Sequence, residues 1–134
     1  MWKAIPTILV LAIAPTVTAQ QKGAAGALEG RALFVTHCAS CHGVSGRGDG
    51  PGAGEFKHQP PDLTQFAKRN GGVFNDAAIY RIVDGRTVKA HGNMEMPVWG
   101  DAFKWREGLD EDAIKARIEA LVRYVATLQE RAGH

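Results

Sequence analysis

The chain is expected to fold as one small all-α domain. Three observations predict this. Apolar residues keep helical spacing from Ile114 through Ile118, Leu121, Val122 and Val125 to Leu128. No segment alternates apolar and polar residues in the manner of a half-buried strand. The length of 134 residues suits one domain, and no internal repeat divides it.

The elements follow in chain order. Met1-Trp2-Lys3 carries one positive charge, an apolar run spans Ile8 to Ala14, and Val17-Thr18-Ala19 ends on a small residue. This is the pattern of a secretory signal peptide, residues 1–19, with cleavage after Ala19. Pro6, Pro15 and the threonines leave the run too short for a membrane span of about 20 residues. The lack of a twin arginine points to the general export route. Residues 20–26 read as a flexible mature N-terminus. A first helix is expected over about Leu28 to Thr36, with Gly30, Phe34 and Cys38 at steps of four on one face. Gly43 to Gly54 is rich in glycine and reads as a loop. Its Gly46-Arg47-Gly48-Asp49-Gly50 core follows no strand, so it is not read as a phosphate loop.

A short helix is expected over Leu63 to Arg69, stopped at Asn70-Gly71-Gly72. Another should start at Asp76 as N-cap, bury Ile79, Ile82 and Val83, and end at Gly85. Thr87 to Lys104 is expected to be mostly loop. Asp110 should cap the last helix, with acids in its first turn.

Cys38-Ala39-Ser40-Cys41-His42 carries the chemistry. Two thiols three positions apart, followed by a histidine, form the attachment pattern for c-type haem. Each thiol can add to one vinyl group of the ring, and His42 can then reach the iron from one face. A thioredoxin-type redox pair would follow a strand, and none precedes Cys38. A structural zinc site needs about four ligands, and the chain has no further cysteines to complete one. A six-coordinate iron needs a second ligand. Candidates are Met94, Met96, His37, His58, His91 and His134. Met96 is favoured, because Pro97 directs its loop backbone. Met94 is the near rival.

Taken together, these features resemble the class I c-type cytochromes, single-haem, His/Met-ligated proteins of the bacterial periplasm. The resemblance covers about residues 27–130. It rests on Gly30, Phe34, Cys38, Cys41 and His42, then Pro61-Asp62-Leu63, Met96-Pro97, and finally Leu121 and Tyr124. It implies a cytochrome c domain over 27–134, with helices wrapped around one covalently bound haem and the N- and C-terminal helices crossing. Gly30 and Phe34 would meet Leu121 and Tyr124 at that crossing. Cys38, Cys41, His42, Met96 and Pro61 would bind haem c, with His42 and Met96 on the iron. The Pro61 carbonyl would accept the Nδ1 proton of His42. Trp99 is expected either at the haem edge or in plain packing.

The expected function is one-electron transport in the periplasm, with no catalytic residue. The alternative is a haem subunit of a periplasmic dehydrogenase or terminal oxidase complex. Formal net charge is only +2, which falls further without Lys3, so nucleic acid is not an expected partner. Redox proteins are, and stable membrane insertion after signal cleavage is not. Lys57, Lys68, Lys89 and Lys104 are expected near the haem crevice, where they would steer an acidic partner.

Overall fold

A computed structural model describes residues 19–88 and 96–130. Residues 1–18 of the expected signal peptide 1–19, together with Lys89, His91, Met94 and His134, therefore lie outside the described residues. Among the described residues six α-helices follow one another: α1 (Ala19–His37), α2 (Ala39–His42), α3 (Phe66–Arg69), α4 (Asp76–Asp84), α5 (Trp99–Glu107) and α6 (Glu111–Thr127). Two 3-10 turns, Ala53–Glu55 and Leu63–Gln65, lie between α2 and α3. Strands are absent among the described residues, as the periodicity predicts.

The frame is the crossing of α1 and α6. Asp110 caps α6 by accepting from the Ala113 amide at 2.8 Å, and Glu111 and Asp112 place acids in its first turn. The periodic face of α6 is then fully inside: Ile114, Ile118 and Leu121 are at most 1% exposed. Gly30 of α1 lies against it. A Cβ at Gly30 would sit 2.0 Å from the Ala120 carbonyl oxygen and 2.9 Å from the Tyr124 Cβ, so only glycine lets the two backbones come this close. One turn on, the Phe34 ring packs on Tyr124 with centroids 5.2 Å apart. The expected meeting of Gly30 and Phe34 with Tyr124 is therefore seen, and Leu121 is buried in the same cluster.

Three boundaries differ from those the sequence pattern predicts. First, α1 starts at Ala19, so the stretch 20–26 expected to be flexible is helical. Leu28, the expected first residue of the helix, is 71% exposed. Gly26 is the buried residue there and faces the Arg123 side chain of α6, so the helix keeps a packing partner ahead of Leu28. Second, Asn75, not Asp76, caps α4; its side chain accepts from the Ala78 amide at 3.0 Å. Asp76 becomes the acid of the first turn. Third, the last third of the expected loop Thr87–Lys104 is helical, as the start of α5. Trp99 and Phe103, four residues apart, bury one face and are enough to hold it, while its remaining positions are mostly polar or charged.

The glycine-rich loop after α2 folds back onto that helix. The amides of Gly48, Gly50 and Gly52 donate to the carbonyls of His42, Cys41 and Ser40 at 2.8, 3.2 and 2.8 Å. These are the carbonyls that a helix end leaves without intrahelical partners. The loop is in turn tied to the segment before α3, where the Leu63 amide donates to the Gly46 carbonyl at 2.7 Å.

Candidate functional site

The end of α1 delivers the cysteine motif. The Cys38 amide still donates to Phe34 O at 2.8 Å and the His42 amide to Cys38 O at 2.9 Å, so the chain stays nearly helical through all five residues. This turns Cys38, Cys41 and His42 toward one cavity of about 380 Å³. That size lies within the range of cofactor sites. Pro61 and Leu63 line the same cavity from the segment before α3, Ile79 and Val83 from α4, and Leu121 and Val125 from α6. Met96, Pro97 and Trp99 line it as well, from the segment that leads into α5. All five predicted binding residues thus converge on one space, although Cys38 and Met96 stand far apart in sequence.

The chemistry of the donors suits haem. The walls are mainly aliphatic and aromatic, as a flat apolar ring requires. His42 is 9% exposed, which keeps water from that side chain. Neither cysteine is in a disulfide. Burial, with a smaller contribution from Cys41, pushes the Cys38 thiol up to about 12, so it is a neutral thiol at ordinary pH.

Among the candidate sixth ligands, Met96 is half-buried and packs against the core. His37 and His58 also line the cavity. The His37 ring, however, packs edge-on against Trp99 and Phe103 at 5.2 and 5.5 Å, and its Nε2 lies 3.7 Å from Glu107 Oε1. It joins α1 to α5. Trp99 lines the cavity wall and also packs against His37 and Phe103, with ring centres 5.2 and 5.4 Å away. Of the four lysines expected at the crevice, Lys57 and Lys68 are exposed. Lys104 is engaged, bonding Glu111 at 3.2 Å and lying 5.8 Å from the Trp105 ring centre.

The family model for cytochrome c matches residues 27–129. The chain belongs to the cytochrome c family. Membership implies covalently bound haem c, for which Cys38 and Cys41 have the required spacing, and a haem-based electron-transfer role with redox partners. No curated protein and no solved structure matches the chain. Among the described residues of this cytochrome, no helix is long and apolar enough to cross a membrane.

The structure adds residues that spacing gave no sign of. Gln129, at the end of α6, donates to the Leu63 and Val125 carbonyls at 2.8 and 2.9 Å and accepts from the Ala67 amide at 2.9 Å. It ties the Pro61–Leu63 side of the cavity to α6 across more than sixty residues of sequence. Its bonds are to backbone atoms, which any residue type supplies, so no pattern announces them.

Three carboxylates are held below the usual range: Asp62 by the Thr64 hydroxyl, Glu111 by Arg86, and Glu130 by Gln65 and then Arg47. A depressed folded value means that their contribution is complete above the unfolded pKa of about 4 and is lost as pH falls through the folded value. The denaturation midpoint should therefore begin to fall from these groups only below about pH 4. Glu111→Gln should make that fall shallower, and more so at low salt, because the groups are exposed. An unchanged acid slope in Glu111→Gln would show that this carboxylate contributes nothing to the acid transition.

Proposed function

We propose that this cytochrome is a periplasmic one-electron carrier in which His42 and Met96 hold the haem iron. The observation that carries the reading is the convergence of Cys38, Cys41, His42 and Met96 on one apolar cavity. Bound haem would supply a one-electron iron couple. The two cysteines would hold the ring, and His42 would bind on one face. Pro61, which lines the cavity beside it, would accept the imidazole Nδ1 proton and so fix ring orientation and basicity. Met96 would bind on the other face. A thioether favours the reduced state and raises the potential. With the same ligands in both redox states, little would move on electron transfer. The leading segment 1–19 supports export, since attachment of haem outside the cytoplasm needs an exported chain.

The test is ligand substitution in the haem-loaded protein. Met96→Ala should abolish the long-wavelength sulfur-to-iron band and admit carbon monoxide. It should also lower the reduction potential by roughly 0.1 V or more, against the about 0.8 V that axial ligands span. Met94→Ala should leave the band in place. A band lost in Met94→Ala and kept in Met96→Ala would move the assignment to Met94; a band kept in both would end it.

A further inference from the structure

The chain leaves α4 at Gly85 and is back against it at Val98. Gly85 has φ 74°, and a Cβ placed there would lie 3.2 Å from the Val98 Cα. A charged group sits at this crossing. Asp84, the last residue of α4, is only 6% exposed. Arg86 directs two nitrogens, Nε and Nη2, at its Oδ1, each at 2.8 Å. The remaining nitrogen, Nη1, reaches both carboxylate oxygens of Glu111 at 3.2 and 2.9 Å. Gly100, in the first turn of α5, lies directly on the pair. A Cβ there would fall 2.3 Å from both Arg86 Nε and Asp84 Oδ1. One guanidinium therefore joins the end of α4 to the start of α6 while the first turn of α5 rests on it.

An exposed ion pair would mean little here. This one differs in two ways. Asp84 is buried, so its charge depends on Arg86 for compensation. The planar fork of arginine, with its nitrogens committed to two partners, also sets direction as well as charge. Both Asp84 and Glu111 hold the guanidinium firmly protonated.

We propose that Asp84, Arg86 and Gly100 form a clasp that closes the two ends of the Met96 segment and thereby sets how firmly Met96 stays on the iron. The proposal rests on the reading of Met96 as sixth ligand. The three residues act on neither haem nor iron directly; they position the segment that does. The bond of a ligand carried on a connecting segment competes with opening of that segment. The contacts that close its ends decide the opening free energy.

The test uses the haem-loaded, oxidised protein with imidazole as the competing ligand. The variants are Arg86→Met, Gly100→Ala and the double Asp84→Asn/Arg86→Met. Gly100→Ala keeps every charge and only wedges the pair apart. The double variant removes both charges together and leaves no buried carboxylate behind, so the proposal stays open to test if Arg86→Met alone fails to fold. Imidazole affinity should rise about tenfold in each folded variant, equivalent to 1.4 kcal/mol. It should do so at temperatures where helix content is unchanged. On heating, the sulfur-to-iron band should disappear before the helices melt. Arg86→Lys should fall between wild type and Arg86→Met, since lysine keeps the charge and loses the fork. Unchanged imidazole affinity, with band and helices melting together, would overturn the clasp and leave only a structural ion pair. Absence of the band from the wild-type protein would instead overturn the Met96 reading, and the clasp with it.

Discussion

Replacing both Cys38 and Cys41 by alanine is expected to release haem from the chain completely. In the wild-type holoprotein, the colour should remain with the polypeptide after denaturation and extraction with acidified acetone. In the double variant it should pass to the solvent. The reason is covalent: these are the only two cysteines, so no other residue can form a thioether. The effect on folding should be nearly as large. Without haem the apolar cavity of about 380 Å³ has nothing to fill it. At about 24 cal/mol per Å³, a void of that size costs about 9 kcal/mol, an upper bound because water can enter. That is comparable with the whole stability of a small domain, about 5–15 kcal/mol. The haem-free double variant should therefore show little helix by circular dichroism. Colour that stays with the denatured double variant would refute covalent attachment through these thiols.

The second large effect belongs to Gly30. Gly30→Ala should lower stability by about 3 kcal/mol, the upper end for overpacking, because the new methyl would meet the Ala120 carbonyl at 2.0 Å and backbone cannot step aside. Gly30→Val should prevent the α1–α6 crossing. Gly26→Ala is the matched control on the same helix. There the methyl meets the Arg123 side chain, whose Nε would be 2.5 Å away but which can swing clear. Alanine also gains about 0.8–1 kcal/mol of helix propensity over glycine. Gly26→Ala should thus be neutral or slightly stabilising in a denaturant titration. Equal losses at the two positions would mean that general helix strain, and not the close approach at Gly30, governs this interface.

Much of the fold and of the haem site is legible in the residues alone. Cys38, Cys41 and His42 are local, and their spacing states their chemistry. The buried face of α6 is legible because Ile114, Ile118, Leu121 and Val125 recur at helical steps, and Asp110 announces its start. The start of α1 is not legible, because apolar Leu28 points to solvent, whereas the contact that extends the helix is made by Gly26. The helix α5 gives only a weak signal, because Trp99 and Phe103 alone anchor it among mainly polar neighbours.

What the sequence determined by itself was the cofactor chemistry and the helical class, since both depend on short repeats or on neighbours a few positions apart. The tertiary structure alone decided which distant residues share the cavity and what holds them there. Met96 and His42 line one space; Gln129 ties the Pro61–Leu63 side to α6; Arg86 joins Asp84 to Glu111 beneath Gly100. Each of these ties spans at least one intervening element or uses backbone atoms common to every residue. Their partners are fixed by the crossing of α1 and α6 and by the packing of α4 and α5 against α6, and not by any spacing along the chain.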